Sequence, residues 1–271
     1  MKFLAQSDDY GITRGCAYGA LYAIRKGVIR NTGLFSNMPW AEECVELIRP
    51  YLDKVALGLD LNASTGPSLL GYDLVPNLCH EDGSFLTSGE NRALDTDEND
   101  HDHVNYDQIY AEFEAQILRY IELVGHKPDY LHGHAYGTKT TRRASLDLAR
   151  KYGILYSTQV SDRPEVLASG MGASWYIMPP TLENQAKSNL GDFIIDPANG
   201  YLDAEYVYLI CHCGYVDAEI LKLSSFNIFR ARDLEGVTSS RVLDWVRKNR
   251  VELISYKDLP KEWLEEAIAK Q

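Results

Sequence analysis

The stretch Val55-Ala56-Leu57-Gly58-Leu59-Asp60-Leu61, VALGLDL, is a short apolar run that reads unambiguously as a β-strand and carries one carboxylate near its end. The same unit recurs along the chain: an apolar run of strand length, then a segment with helical periodicity. That alternation makes parallel βα units. Upstream, Met1 to Gln6 reads as a first strand, Thr13 as the N-cap of a helix ending at Gly27, and Val28 to Phe35 as a second strand. A helix over Trp40 to Tyr51 leads to the strand at Lys54 to Leu61.

Downstream, residues Asn62 to Val104 form a long irregular excursion with Pro67, Pro76, several glycines and an acidic run from Asp95 to Asp102. Its polarity and length suit a lid or substrate loop. Asn105 with Gln108 reads as a capping box, and Ile109, Phe113, Ile117, Ile121 and Val124 then stripe one helix face as far as Gly125. Strands follow at Asp129 to Gly133, Ile154 to Thr158, Tyr206 to Cys211 and Val251 to Ser255. Helices are expected at Arg142 to Tyr152, closed by Gly153, and from a Thr238 cap through Asn249. About seven parallel strands alternating with helices over 271 residues predict one TIM-like β/α barrel, a single catalytic domain spanning 1–271 with an insertion at about 62–104.

Composition narrows the function. The formal net charge of −12 argues against nucleic acid or an anionic membrane surface as the main partner, because a phosphate footprint needs clustered Lys and Arg. No run approaches the roughly 18 apolar residues of a membrane helix. Met1 and Lys2 lead into a stretch too short for a signal sequence before Asp8 and Asp9. The five cysteines include Cys211 and Cys213, one residue apart, a spacing that fits neither a zinc ribbon nor a disulfide framework. Reduced thiols and a cytoplasmic location are the simplest reading. A homodimer is left open.

The polar residues fall where chemistry is expected. Asp8 and Asp9 follow the first strand, Asp60 and Asn62 end the third, and His132 and His134 end the next. His212 ends the strand that begins at Tyr206. In a β/α barrel these strand ends share one mouth. Carboxylates and imidazoles gathered there, without a Ser or Cys nucleophile in a recognisable setting, suggest a hydrolytic metal site. His132 and His134 project to the same face of a strand. Plainer readings stand beside these. Asp8-Asp9-Tyr10-Gly11 would equally serve as an Asx turn, and His212 as a packed residue before a tight turn. His101 and His103, inside the acidic run, read as parts of a flexible, solvated loop. Lys139, Arg142 and Arg143 read as the solvated start of a helix.

Laid end to end, the motifs resemble the YdjC-like carbohydrate deacetylases, the group that includes chitooligosaccharide deacetylases. SDDYGITRG at Ser7 to Gly15 is similar to that family's ADDFG opening, and GLDLNASTGPSL to its GxHxxLTxGxPL segment. VPNL and DGSF at Asp82 to Phe85 follow. EFEAQILRYIELVGHKPDYLHGH resembles the block that ends in DxH, ICHCGYVD the HPGyxD turn, and FRARDLEGVTSSRVLDWV the RxxEL helix entry. The resemblance implies a β/α barrel, one divalent metal ion, and removal of an N-acetyl group from a small amino sugar or chitooligosaccharide, phosphorylated or not.

By position, it implies that Asp8 is the catalytic base and His212 a general acid or substrate contact. Asp9, Asp60 and His134 would hold the ion, with His132 a further candidate. Asn62, Tyr136 and Arg230 are expected to contact the sugar. Three departures stand out: the family's GxH histidine is here Asp60, the aspartate of its DxHxHxH block is His132, and the proline of HPG is Cys213. An oxygen-rich Asp-Asp-His set shifts preference from zinc toward magnesium or manganese. Hydrolysis of another sugar ester or a phosphorylated sugar, or sugar binding without catalysis, are the alternatives on the same barrel.

Overall fold

The structure, a computed structural model, describes residues 1–170 and 172–269. Its centre is a curled, wholly parallel sheet of eight strands: β1 (Lys2–Tyr10), β2 (Asn31–Leu34), β3 (Ala56–Leu61), β4 (Tyr130–Gly133), β5 (Leu155–Tyr156), β6 (Val166–Ser169), β7 (Tyr206–Cys211) and β8 (Glu252–Leu253). The order β5-β4-β3-β2-β1-β7-β6 wraps helices around a single α/β barrel-like fold. Its two ends, β5 and β6, are joined by the short helix Thr158–Ser161.

Strand β1 organises the rest. Along Lys2 to Ser7 it pairs with β7 on one edge. On the other edge β8 takes Lys2 and Phe3, and β2 joins only from Gln6. Asn31 seals that three-strand junction. Its side-chain amide donates to Ala5 O and Ile254 O, and its carbonyl accepts the Tyr256 N–H, all in a fully buried setting.

The sheet is buried by helices whose ends obey ordinary capping chemistry. Thr13 caps Arg14–Lys26 through the Cys16 N–H, and the helix stops at Gly27. Tyr106–Val124 begins at Asn105, which accepts from the Gln108 N–H, and ends at a left-handed Gly125. The Gln108 side chain does not close a capping box; it accepts the Asn77 N–H and ties the excursion to this helix. Lys139–Tyr152 starts three residues earlier than its apolar pattern implies because Thr138 caps it. Thr238 is the last residue of Ile228–Thr238, its hydroxyl bonded back to Leu234 O, and Ser239 caps the following helix, Ser240–Lys248.

Two features of the sheet depart from the sequence reading. β6 was not expected, since VLAS is short, half-exposed and at a sheet edge, so it carries little apolar signal. β1 runs four residues past Gln6, which places Asp8 and Asp9 inside the strand. The excursion is also more ordered than its composition suggests, with a helix at Ser88–Leu94 capped by Thr87 and bridges pairing Pro67 with Ser84 and Cys79 with Phe85. No helix among the described residues is long and apolar enough to cross a membrane. All five cysteines are buried and free.

Replacing Asn31 with Ala removes three buried hydrogen bonds: Ala5 O keeps the Arg30 N–H, while Ile254 O and the Tyr256 N–H lose the partner that Asn31 supplies. Urea unfolding is expected to show a loss of about 2–4 kcal/mol, since each unsatisfied buried group costs about 1–3 kcal/mol. A loss under about 1 kcal/mol would mean that the β1–β2–β8 junction is held by other contacts.

Candidate active site

Consecutive side chains of a regular strand point to opposite faces, so Asp8 and Asp9 should not reach one site. The β1–β2 register breaks between Ser7 and Tyr10, and Asp9 takes a left-handed backbone with φ of 65°. This bulge turns both carboxylates to the barrel mouth, where each meets a histidine from β4 or its end. Asp8 Oδ2 lies 3.0 Å from His132 Nε2, and Asp9 Oδ1 lies 2.7 Å from His134 Nδ1.

Each pair is backed by further contacts. The Gln6 amide donates to Asp8 Oδ1 at 2.5 Å, while its carbonyl accepts hydroxyls from Tyr208 and Tyr256. Those two tyrosines fix which end of the amide faces Asp8. On the far side of the imidazole, His132 Nδ1 stands 2.6 Å from Ser157 Oγ. Asp9 Oδ2 accepts from Arg230 Nη2 at 2.6 Å, and both side chains are almost wholly buried.

These contacts set the charges. Burial pushes the Asp8 carboxyl up, but the charge and hydrogen bond of His132 outweigh it and hold Asp8 below the usual range. Burial likewise opposes Asp9, and His134 with Arg230 brings it well below. His132 is disfavoured as a cation by burial, yet Asp8 raises it to about 9. Asp60 has no such partner. Burial, then the charge of Asp8, pushes its carboxyl well above the ordinary value. Its Oδ1 is buried with no hydrogen-bond partner.

His212 stands on the opposite wall, supported by residues that the sequence did not single out. Asp233 Oδ2 accepts the His212 N–H at 2.8 Å and the Tyr176 hydroxyl at 2.5 Å, and that hydroxyl lies 2.9 Å from His212 Nδ1. Phe226 packs edge-on against the His212 ring. Burial lowers His212, keeping the imidazole neutral, and raises Asp233 to about 7. Asp233 has a faint sequence signal, because it lies one helical turn after Arg230. Tyr176, in an irregular segment, has none.

The residues expected to touch substrate are otherwise engaged. Asn62 is fully buried; its carbonyl accepts from the N–H groups of Ser64 and Thr65, and its amide donates to Asn37 and Thr65 O. Tyr136 sends its hydroxyl to Asp95, which also accepts from the His103 N–H and lies 2.9 Å from His103 Nδ1. His103 is therefore buried in a latch between the excursion and the β4 loop, whereas His101 is exposed. Arg230 bonds Asp9 through Nη2 and Phe226 O through Nε, and its buried Nη1 has no partner.

With this geometry in place, comparison with known proteins is decisive. The model of the family described as YdjC-like protein matches residues 4–248. The chain belongs to the YdjC-like family. Among its relatives, carbohydrate deacetylase 2 of Listeria innocua is 32% identical over 267 residues, covering 96% of this chain and 100% of the relative. The carbohydrate deacetylase of Thermoanaerobacter pseudethanolicus is 25% identical over 261 residues, covering 94% and 98%. A crystal structure described as that of a cellobiose-phosphate cleavage protein of Enterococcus faecalis aligns with a TM-score of 0.70 at 21% identity, over 94% of this chain and 97% of that one. At that identity the likeness concerns the fold.

Two departures from the YdjC-like motifs stand opposite each other. Asp60 and His132 are register partners on β3 and β4. A divalent ion is suited by this chemistry, because Asp60 Oδ1 is a buried oxygen with no hydrogen-bond partner. Among the described residues, no three His, Cys, Asp or Glu side chains stand as a ready ligand cluster, since Asp8, Asp9, His132 and His134 are paired with one another.

Asp233 yields a pH prediction. Its folded value of about 7 exceeds the ordinary 3.8, so its contribution to stability is complete below about 4 and is lost as pH rises through 7. In Asp233→Asn that loss disappears. The stability difference between wild type and variant, from urea titrations at pH 4.5 to 8, is expected to drift by up to a few kcal/mol, at about 1.4 kcal/mol per pKa unit. A pH-independent difference would show that Asp233 is ionised throughout.

Proposed function

We propose that this chain is a carbohydrate deacetylase that removes an N-acetyl group from a small amino sugar or chitooligosaccharide, giving acetate and a free amine. The observation that carries the reading is the division of proton carriers across one mouth. Asp8 is held ionised beside His132, while His212 is held neutral on the opposite wall. Environments that drive titratable groups apart mark acid and base roles. The curated relatives named above support the substrate class.

Asp8 stays ionised through the neutral range and accepts the proton of the attacking water. Gln6 and His132 keep both its oxygens oriented, so it need not reorganise as charge moves. His212 takes a proton from solvent at Nε2 and delivers it to the leaving nitrogen, and the proton that Asp8 takes from the water returns to solvent. The Tyr176 hydroxyl, anchored on Asp233, meets its Nδ1 and Asp233 also accepts its backbone N–H, leaving Nε2 as the exchanging atom, and the Phe226 ring covers one face. A divalent ion, magnesium or manganese by its oxygen-rich donors, would be held by Asp9, Asp60 and His134 with His132 beside them, and when bound would polarise the amide carbonyl and acidify water.

The test is acetate release from N-acetylglucosamine, diacetylchitobiose and their phosphorylated forms, with and without added magnesium or manganese. Asp8→Asn and His212→Ala are each expected to lower kcat by about 10²- to 10⁴-fold with the fold intact. Asp9→Ala is expected to abolish divalent-ion binding measured by calorimetry. Absence of acetate release from every N-acetylated sugar, with ion binding retained, would overturn the deacetylase reading.

A further inference from the structure

Asp60 lies on β3, and β2 separates it from β1. Even so, its Oδ2 accepts the backbone N–H of Asp9 at 2.7 Å. The route between them passes over Gly33 of β2. A Cβ at Gly33 would sit 1.8 Å from Asp60 Oδ1 and 2.3 Å from its carboxyl carbon, far inside any contact distance. A side chain of any size at that position would push the carboxylate away. Gly33 is not in a left-handed conformation, so backbone freedom does not account for the residue; clearance does.

The N–H that receives this help belongs to the residue where the strand breaks register. Asp9 holds a left-handed backbone, which residues other than glycine adopt rarely and only when their surroundings enforce it. At the break its N–H has left the regular β1–β2 ladder, whose partners on either side are Ser7 with Thr32 and Tyr10 with Leu34. Asp60 Oδ2 supplies the acceptor. It thereby fixes the turn that sends the Asp9 carboxylate to His134 and Arg230.

We infer that Asp60 is a positioning residue for Asp9, acting across a gap that Gly33 keeps open, in addition to offering its second oxygen to the mouth. The inference rests on the deacetylase reading only for calling the positioned carboxylate part of a working site. The hydrogen bond stands independently of it.

The experiment is amide hydrogen exchange at Asp9, read by NMR on the full chain. It compares wild type, Asp60→Asn, Asp60→Ala, Gly33→Ala and the Gly33→Ala/Asp60→Ala double variant. The Leu209 amide in β7 serves as the reference for global opening. Asn retains an acceptor oxygen, so Asp60→Asn is expected to keep Asp9 protected. Asp60→Ala and Gly33→Ala are expected to speed Asp9 exchange about tenfold or more while Leu209 is unchanged, the mark of a local opening.

Adding Gly33→Ala to Asp60→Ala is expected to cause no further acceleration, because the group it displaces is already gone. Equal acceleration by Gly33→Ala with and without Asp60, or unchanged Asp9 exchange in Asp60→Ala, would overturn the inference. If Gly33→Ala does not fold, the contrast between Asp60→Asn and Asp60→Ala decides it alone. Acetate release is measured on the same samples. Its absence in wild type with the exchange pattern intact would remove the deacetylase reading and leave the positioning role standing.

Discussion

The register break at Asp8 and Asp9 is the constraint on which the rest of the site depends. A regular strand would send one carboxylate into the mouth and the other into the packing between sheet and helices. With the bulge, both face the same histidine-bearing strand end, and the chain obtains two acid groups from adjacent positions. Much of the surrounding structure supports that distortion. β7 pairs with β1 as far as Ser7, the Cys213 N–H bonds Ser7 Oγ, and the Phe35 N–H closes on Tyr10 O just beyond the break.

Burying this many ionisable groups together is electrostatically costly unless each charge is matched. The matching is done in two units. Asp8 with His132 forms one, steadied by Gln6 and Ser157; Asp9 with His134 and Arg230 forms the other. Tyr208 and Tyr256 extend the first unit downward into the barrel, so the orientation of one amide is settled by two phenols and passed to a carboxylate. The unmatched groups are the informative ones. Asp60 keeps a bare oxygen, and Asp233 keeps a high-lying carboxyl beneath His212. Both lie where a ligand, an ion or a proton would change the balance.

The excursion between β3 and the long helix Tyr106–Val124 is held to the mouth more firmly than an acidic loop would be. Asp95 receives the Tyr136 hydroxyl and the His103 N–H, Asp102 accepts the Thr140 N–H, and Glu112 accepts from Ser68, Leu69 and Leu70. Asp95 and Asp102, which look like part of a solvated run in one dimension, become N–H acceptors in three, while Asp97 and Asp100 stay exposed. Tyr136, which sits in the histidine block by sequence, is thereby a structural tie to this excursion.

Most of the architecture was legible in the sequence, because it follows from local chemistry. Apolar runs such as VALGLDL and YVYLIC can only be buried strands, and Thr13, Gly27, Gly125 and Gly153 mark helix ends through their own caps. The polar residues at strand ends were also legible, as were the motifs that announce the YdjC-like family. What the sequence could not contain is how those residues divide their bonds. The left-handed turn at Asp9, the capture of Arg230 by that aspartate, and the His212 support from Tyr176 and Asp233 all join positions far apart in the chain. Such pairings depend on strand register and on which side chain leaves room for another, quantities that exist only once the sheet has closed around them.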